Sequence, residues 1–162
     1  MITYTNEINN LTVFLTEDLL FEIREFCIEK DNLETGGILV GIYDSDLQSA
    51  IITKVLGPPS DSKHSRASFI RGTKGVKKTL DCMWKEGQYY LGEWHFHPNG
   101  APQPSGRDLS SLRSIAGSSK TQCSDPIMLI VGGTNSTLTC RIFLVNADGE
   151  YVEAAPTDSS SF

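Results

Sequence analysis

The sequence predicts an α+β domain: a mixed, mainly antiparallel β-sheet curved around and flanked by about three helices. Three observations carry this. Apolar residues recur at helical spacing in separate stretches, each opened by a capping residue or a polar turn. Short apolar runs rich in β-branched and aromatic residues lie between them. Several connections are of hairpin length, which favours antiparallel neighbours over a doubly wound parallel sheet.

The elements follow in order. Thr12-Val13-Phe14 reads as a short strand. Thr16 caps a helix over residues 17–29, with Leu19, Leu20, Ile23, Phe26 and Cys27 on its apolar side. Gly36 to Tyr43 is an apolar strand, and Ala50 to Leu56 is its antiparallel neighbour through the turn Asp44-Ser45-Asp46. Gly57 to His64 is a loop, and Ala67 to Ile70 a further short strand. Thr73 to Glu86 forms a second helix with Val76, Leu80 and Met83 as its stripe; Gly75 weakens its start. Tyr89 to His97 is an aromatic-rich strand. A loop from Asn99 to Pro104 leads to a third helix, with Leu109, Leu112, Ile115 and Ala116 as its apolar side. Ile127 to Val131 and Leu138 to Val145 are strands separated by a Gly-Gly-Thr-Asn turn. Residues 1–155 then make one domain, and Pro156 to Phe162 a short polar tail expected to be disordered.

Composition limits the function classes. A chain of 162 residues can bury a core without disulfides or metals as staples. A formal charge of −6 argues against a nucleic-acid backbone as the partner. Lys74, Lys77, Lys78 and Lys85 fall on the second helix and read as a solvated face. The cysteines, Cys27, Cys82, Cys123 and Cys140, form no CxxC pair. With no signal peptide or apolar run of membrane-spanning length, the expectation is a reduced, cytoplasmic protein with no membrane partner. Cys27 and Cys140 belong to apolar segments; Cys123 lies in a polar loop and is expected to be the exposed one.

The stretch that carries chemistry is His95-Phe96-His97-Pro98 with Ser105 and Asp108. On a strand, residues two apart point the same way, so both imidazoles project from one face. Asp108 can fold back to join them. Two imidazoles and a carboxylate form a known ligand set for catalytic zinc, with the fourth position left for water. A plainer reading covers part of this: Ser105 to Asp108 has the form of a helix capping box. That reading leaves His95 and His97 unexplained. Hydrolysis also needs a general base. Glu34, at the entry of the Gly36 strand, is either that base or a polar residue in a turn, and spacing alone leaves both open. His64 could close the site as a fourth ligand only if its loop folded over, and reads as solvated.

These residues together resemble the JAMM signature of the JAB1/MPN+ metalloprotease family, over about residues 10–146. The resemblance implies a JAB/MPN-like fold, His95, His97 and Asp108 as zinc ligands, Glu34 as general base, and Ser105 as the group polarising the tetrahedral intermediate. Phe96 replaces the Ser or Thr often found between the histidines; facing the other way, it should affect packing rather than ligation. The run from Gly92 to Ser105 looks like the compact bacterial JAB proteins, most similar to those encoded beside ubiquitin-like E1–E2 enzymes in anti-phage operons of the CBASS type. That implies a deubiquitinase-like isopeptidase, acting after the C-terminal tail of a nucleotidyltransferase-like protein conjugated by its E1–E2 partner. A free sheet edge beside the zinc would receive the tail by strand addition. The rivals are a JAB peptidase trimming a ubiquitin-like sulfur carrier, a RadC-type DNA-repair-associated protein, and a metal-free scaffold.

Overall fold

The computed structural model describes residues 1–6, 10–119, 123, 125–145 and 150–157. Along them run β1 (Ile2–Thr5), β2 (Thr12–Leu15), α1 (Glu17–Lys30), β3 (Thr35–Tyr43), β4 (Ser49–Leu56), β5 (Lys63–His64) and β6 (Phe69–Ile70). There follow α2 (Val76–Lys85), β7 (Tyr89–Pro98), α3 (Gly106–Ala116), β8 (Ile127–Thr134), β9 (Thr137–Val145) and β10 (Tyr151–Pro156).

Eight strands close into a barrel in the order β1-β10-β9-β8-β7-β3-β4-β2, and β5 pairs with β6 in a separate two-stranded sheet. This corrects the expected open, curved sheet. The barrel is mixed: β7 pairs with β8 and β2 with β4 in parallel, and the remaining neighbours are antiparallel. The strands that close it are β1 and β10, which had no counterpart in the sequence reading. Each is short and commits few side chains to the core: Ile2 and Tyr4 from β1, Ala154 from β10. β7 is paired on both sides, by β3 and β8, while β4 pairs with β3 only from Ile38 onward, so Thr35 to Gly37, opposite the histidines, have no β4 partner. The two-stranded β5–β6 sheet also has outer edges with no strand partner among the described residues.

Strand alternation sorts side chains onto two faces. Leu39, Trp94, Phe96, Leu129, Val131, Ile142 and Leu144 form the main core with Leu20, Ile23 and Cys27 of α1. Thr16 caps α1, its hydroxyl accepting from Leu19 N–H at 3.4 Å. On the other face, Met83 of α2 covers Ile38 and Val40, while Leu112 of α3 covers Met128, Ile130, Phe143 and Val145. The strip of β3 and β7 between α2 and α3 is where His95 and His97 emerge.

Two boundaries differ from expectation. α2 starts at Val76 rather than Thr73, because Gly75 takes a left-handed φ of 77° just before it; the Thr73 and Lys74 N–H groups turn instead to the Asp61 carboxylate. The Gly132–Gly133 pair, expected in a turn, extends β8, and β9 resumes at Thr137. At the C-terminus, Pro156 pairs with Tyr4 and the Thr157 N–H donates to the Thr3 carbonyl at 2.9 Å. The rest of the expected tail, residues 158–162, lies outside the described residues.

Candidate metal centre

β7 sets the site by parity. Trp94 and Phe96 point into the main core, 0% and 1% exposed, so His95 and His97 must face the other way. Phe96 thus acts in packing, as its position predicts. Asp108 comes from the first turn of α3 and is buried. Its Oδ1 lies 2.8 Å from His95 Nδ1 and its Oδ2 3.3 Å from His97 Nε2. The potential ligand atoms of His95, His97 and Asp108 all fall within 4.8 Å of one another.

The capping box is present as well. Ser105 Oγ accepts from the Asp108 N–H at 3.2 Å, and Asp108 Oδ2 accepts from the Ser105 N–H at 2.7 Å. The two readings of Ser105 and Asp108 are therefore one structure: the cap hydrogen bonds are what aim the Asp108 carboxylate at the histidines. The Ser105 side chain also hydrogen-bonds the Asp108 carboxylate and helps to keep it ionised.

Glu34 joins the cluster through the sheet. Thr35 pairs with Phe96 and Gly36 with His95; Glu34 immediately precedes this register, and its carboxyl feels the charges of His97, Asp108 and His95. Its backbone is held on both sides by the β5–β6 segment. The Glu34 N–H donates to the Ser65 carbonyl at 2.8 Å, and the Glu34 carbonyl accepts from His64 Nδ1 at 3.0 Å. His64 is therefore not simply solvated: its loop does fold over, but onto Glu34. His64 also packs on Phe69, with ring centroids 5.1 Å apart, and Phe69 meets the His95 ring edge-on at 5.7 Å.

Two glycines make room. A Cβ on Gly36 would stand 2.4 Å from the Trp94 carbonyl oxygen and 2.8 Å from both His95 Cδ2 and Phe69 Cε1. A Cβ on Gly132, which pairs with His97, would stand 2.5 Å from Pro102 N and 2.6 Å from Ala101 C. The Asn99–Pro104 loop therefore rests directly on the β8 backbone beside His97.

Charge in the cleft is strongly coupled. Burial opposes ionisation of Asp108, but hydrogen bonds from His95 and His97 outweigh it and hold the carboxyl well below its usual range. Burial likewise opposes a charged His95, yet the hydrogen bonds to Asp108 and Glu93 lift its pKa to about 9. Glu34 goes the other way: burial raises it, against the opposing pull of His97. A buried carboxylate that holds two ring nitrogens together is the arrangement a divalent metal ion replaces, with the ion supplying the positive charge that the protons supply otherwise. The donor set of two imidazoles and one carboxylate fits such an ion.

Residues 16–144 match the family of prokaryotic homologs of the JAB domain. The chain belongs to the prokaryotic JAB family. A JAB relative from Enterobacter hormaechei subsp. hoffmannii (strain UCI 50), named "CD-NTase/cGAS isopeptidase", is 41% identical over 132 residues, covering 82% of this chain and 73% of its own. A Pseudomonas aeruginosa (strain BWHPSA011 / Pa011) protein of the same name is 26% identical over 84% of this chain and 86% of its own. The "Probable metalloprotease y4qB" of Sinorhizobium fredii (strain NBRC 101917 / NGR234) is 33% identical over 63% of this chain and 64% of its own. In fold, the JAB chain resembles the solution structure of protein DSY2949 from Desulfitobacterium hafniense, with a TM-score of 0.64 at 21% identity over 88% of this chain and 90% of that one.

Several residues of this JAB site were not singled out from sequence: Gly36, His64, Phe69, Arg71, Glu93 and Gly132. Only Glu93 carried a local signal, since it sits two residues before His95 on the same strand and shares its face. The others reach the site through long-range pairing. One reading is corrected: Cys123 is buried, 2% exposed, with Sγ 3.7 Å from the Tyr43 hydroxyl, and burial pushes its thiol up to about 11. Of the basic group on α2, Lys77 pairs with Asp81 at 2.6 Å. No helix of the described residues is long and apolar enough to cross a membrane.

Proposed function

We propose that this JAB protein is a zinc-dependent, cytoplasmic isopeptidase. Its substrate is the amide bond after the C-terminal tail of a protein, a nucleotidyltransferase conjugated by a bacterial E1–E2 ubiquitin-like system in CBASS defence. The observation that carries the reading is the convergence of His95, His97 and Asp108, with the Glu34 carboxyl coupled to their charges. The 41% identity to a CD-NTase/cGAS isopeptidase supports the substrate class.

His95, His97 and Asp108 would hold the zinc, which would supply Lewis-acid chemistry that makes water a nucleophile near neutral pH. Glu34 takes a proton from the attacking water and returns it to the leaving amine. Its raised pKa suits both halves of that transfer. The Ser105 hydroxyl donates to the oxygen that develops negative charge at the scissile carbonyl. His64 and Ser65 fix the Glu34 backbone, so the base does not have to be ordered during the reaction. The tail lies between the β5–β6 segment and the Asn99–Pro104 loop.

The test is incubation of the purified, zinc-loaded protein with the nucleotidyltransferase joined through its C-terminus to an amine, and with a ubiquitin-like sulfur-carrier fusion. Mass spectrometry locates the cut. Scission at the nucleotidyltransferase C-terminus supports the proposal. Scission of the sulfur-carrier fusion alone reassigns the substrate, and a protein that binds no zinc defeats the mechanism.

A further inference from the structure

Glu93 is a buried carboxylate that the reaction above does not use. It is 4% exposed. Arg71 Nε donates to its Oε1 at 3.0 Å, the Tyr90 hydroxyl donates to the same oxygen at 3.2 Å, and its Oε2 lies 3.5 Å from His95 Nε2. Burying such a group costs several kcal/mol per ion unless its partners compensate, and an apolar trio of like volume would often serve the fold as well. The placement of this one points to the site. Glu93 is two residues before His95 on β7, so strand parity aims both at the same face.

The His95 ring thus lies between two carboxylates. Nδ1 faces Asp108 at 2.8 Å and Nε2 faces Glu93 at 3.5 Å. A neutral imidazole has one lone pair and one N–H. A metal held with His97 and Asp108 needs the lone pair on the nitrogen that faces Asp108. The proton must then sit on the nitrogen that faces Glu93, where an acceptor is waiting. The opposite tautomer would place an N–H against the metal and leave Glu93 facing a lone pair.

We propose that Glu93 is a positioning residue for the metal centre: its carboxylate accepts the Nε2 proton of His95 and so fixes the tautomer that offers Nδ1 to the metal. Arg71 belongs to the same device. It follows β6, whose Phe69 stands edge-on to His95, so the Arg71–Glu93 pair ties the β5–β6 segment, which also holds Glu34, to the ligand strand. One network orients a ligand and anchors the wall of the cleft.

The inference rests on the metal reading of the site, and the experiments separate the two. In the zinc-loaded protein, ¹H–¹⁵N spectra of the histidine side chains should show His95 protonated at Nε2 and metal-bound at Nδ1. Protonation at Nδ1 with zinc on Nε2 overturns this inference alone. A protein that takes up no zinc overturns the metal reading, and the inference with it. In a second experiment, Arg71→Met with Glu93→Met removes both charges, so neither is left buried and unpaired. With the fold verified by circular dichroism, zinc affinity by chelator competition should drop roughly 10–100-fold. Affinity within about 3-fold of the parent overturns the proposal. If the double variant does not fold, the spectra of the unaltered protein decide.

Discussion

Asp108 Oδ1 lies 2.8 Å from His95 Nδ1, while Oδ2 of the same carboxylate accepts the Ser105 N–H at 2.7 Å. One carboxylate both starts α3 and meets a histidine on β7. Burial works against a charged His95, but the hydrogen bonds to Asp108 and Glu93 outweigh it and lift its pKa to about 9. A group whose pKa is raised on folding stabilises the fold fully below its unfolded value, roughly 6.5. The contribution fades as pH rises through the folded value. The melting temperature of metal-free protein should therefore decline from about pH 6.5 to beyond pH 9. Zinc uptake at pH 7 should displace the His95 proton. Calorimetric titrations in buffers of different ionisation enthalpy should report about one proton released per zinc; a heat independent of buffer would show that His95 was already neutral.

Glu34 and His64 are expected to act on turnover rather than on the metal. Glu34→Gln keeps the size of the side chain but cannot take a proton, and should lower kcat by roughly 10²–10⁴ with zinc content unchanged. His64→Ala removes the hydrogen bond to the Glu34 carbonyl. A bond of that kind contributes about 0.5–1.5 kcal/mol, so kcat should fall by up to roughly ten-fold, again with zinc retained. Metal analysis beside steady-state kinetics checks both. Full activity in Glu34→Gln would remove Glu34 from the mechanism.

Ser105 has two duties that substitution can separate. Ser105→Ala removes the N-cap and should cost about 0.5–2 kcal/mol of stability. Ser105→Gly costs only a few tenths of a kcal/mol as a cap, yet it loses the hydroxyl just the same. Both variants should lose roughly 10²–10³ in kcat if the hydroxyl stabilises the oxyanion. Thermal melts and kinetics of the pair decide: a glycine variant with near-normal kcat would reduce Ser105 to its capping role.

Gly36→Ala should damage fold and site together. Its new methyl would stand 2.4 Å from the Trp94 carbonyl oxygen and 2.8 Å from the His95 ring. Backbone on a neighbouring strand cannot yield cheaply, so β3 must move from β7. The expected cost is about 1–3 kcal/mol in stability, with weaker zinc binding as His95 shifts. Denaturant titration and chelator competition measure these. Unchanged values for both would mean that the strands do not approach as described.

The ligand strand was legible because its signal is local. Alternation in Trp94-His95-Phe96-His97 decides facing whatever β7 pairs with, and the spacing from Ser105 to Asp108 specifies a capping box on its own. The helical stripes of α1 and α3 were legible for the same reason. Barrel closure was not. It depends on β1 and β10, which bury only Ile2, Tyr4 and Ala154 between them and meet across nearly the whole chain. The exposure expected for Cys123 failed because polar neighbours in sequence do not report what packs above a residue; here it is Tyr43.

By itself, the sequence determined the family and named the candidates for the proposed chemistry: His95, His97, Asp108, Ser105 and Glu34. Periodicity and capping are short-range rules, and these residues obey them within a few positions of one another. Tertiary structure alone decided that Glu34 lies within reach of the charges of His97 and Asp108, that His64 and Ser65 hold its backbone, that Gly36 and Gly132 make space, and that Glu93 and Asp108 flank opposite nitrogens of His95. Those relations arise from strand register and from the closing of the barrel. Both depend on pairings between distant segments, whose energies come from packing that no local pattern of residues encodes.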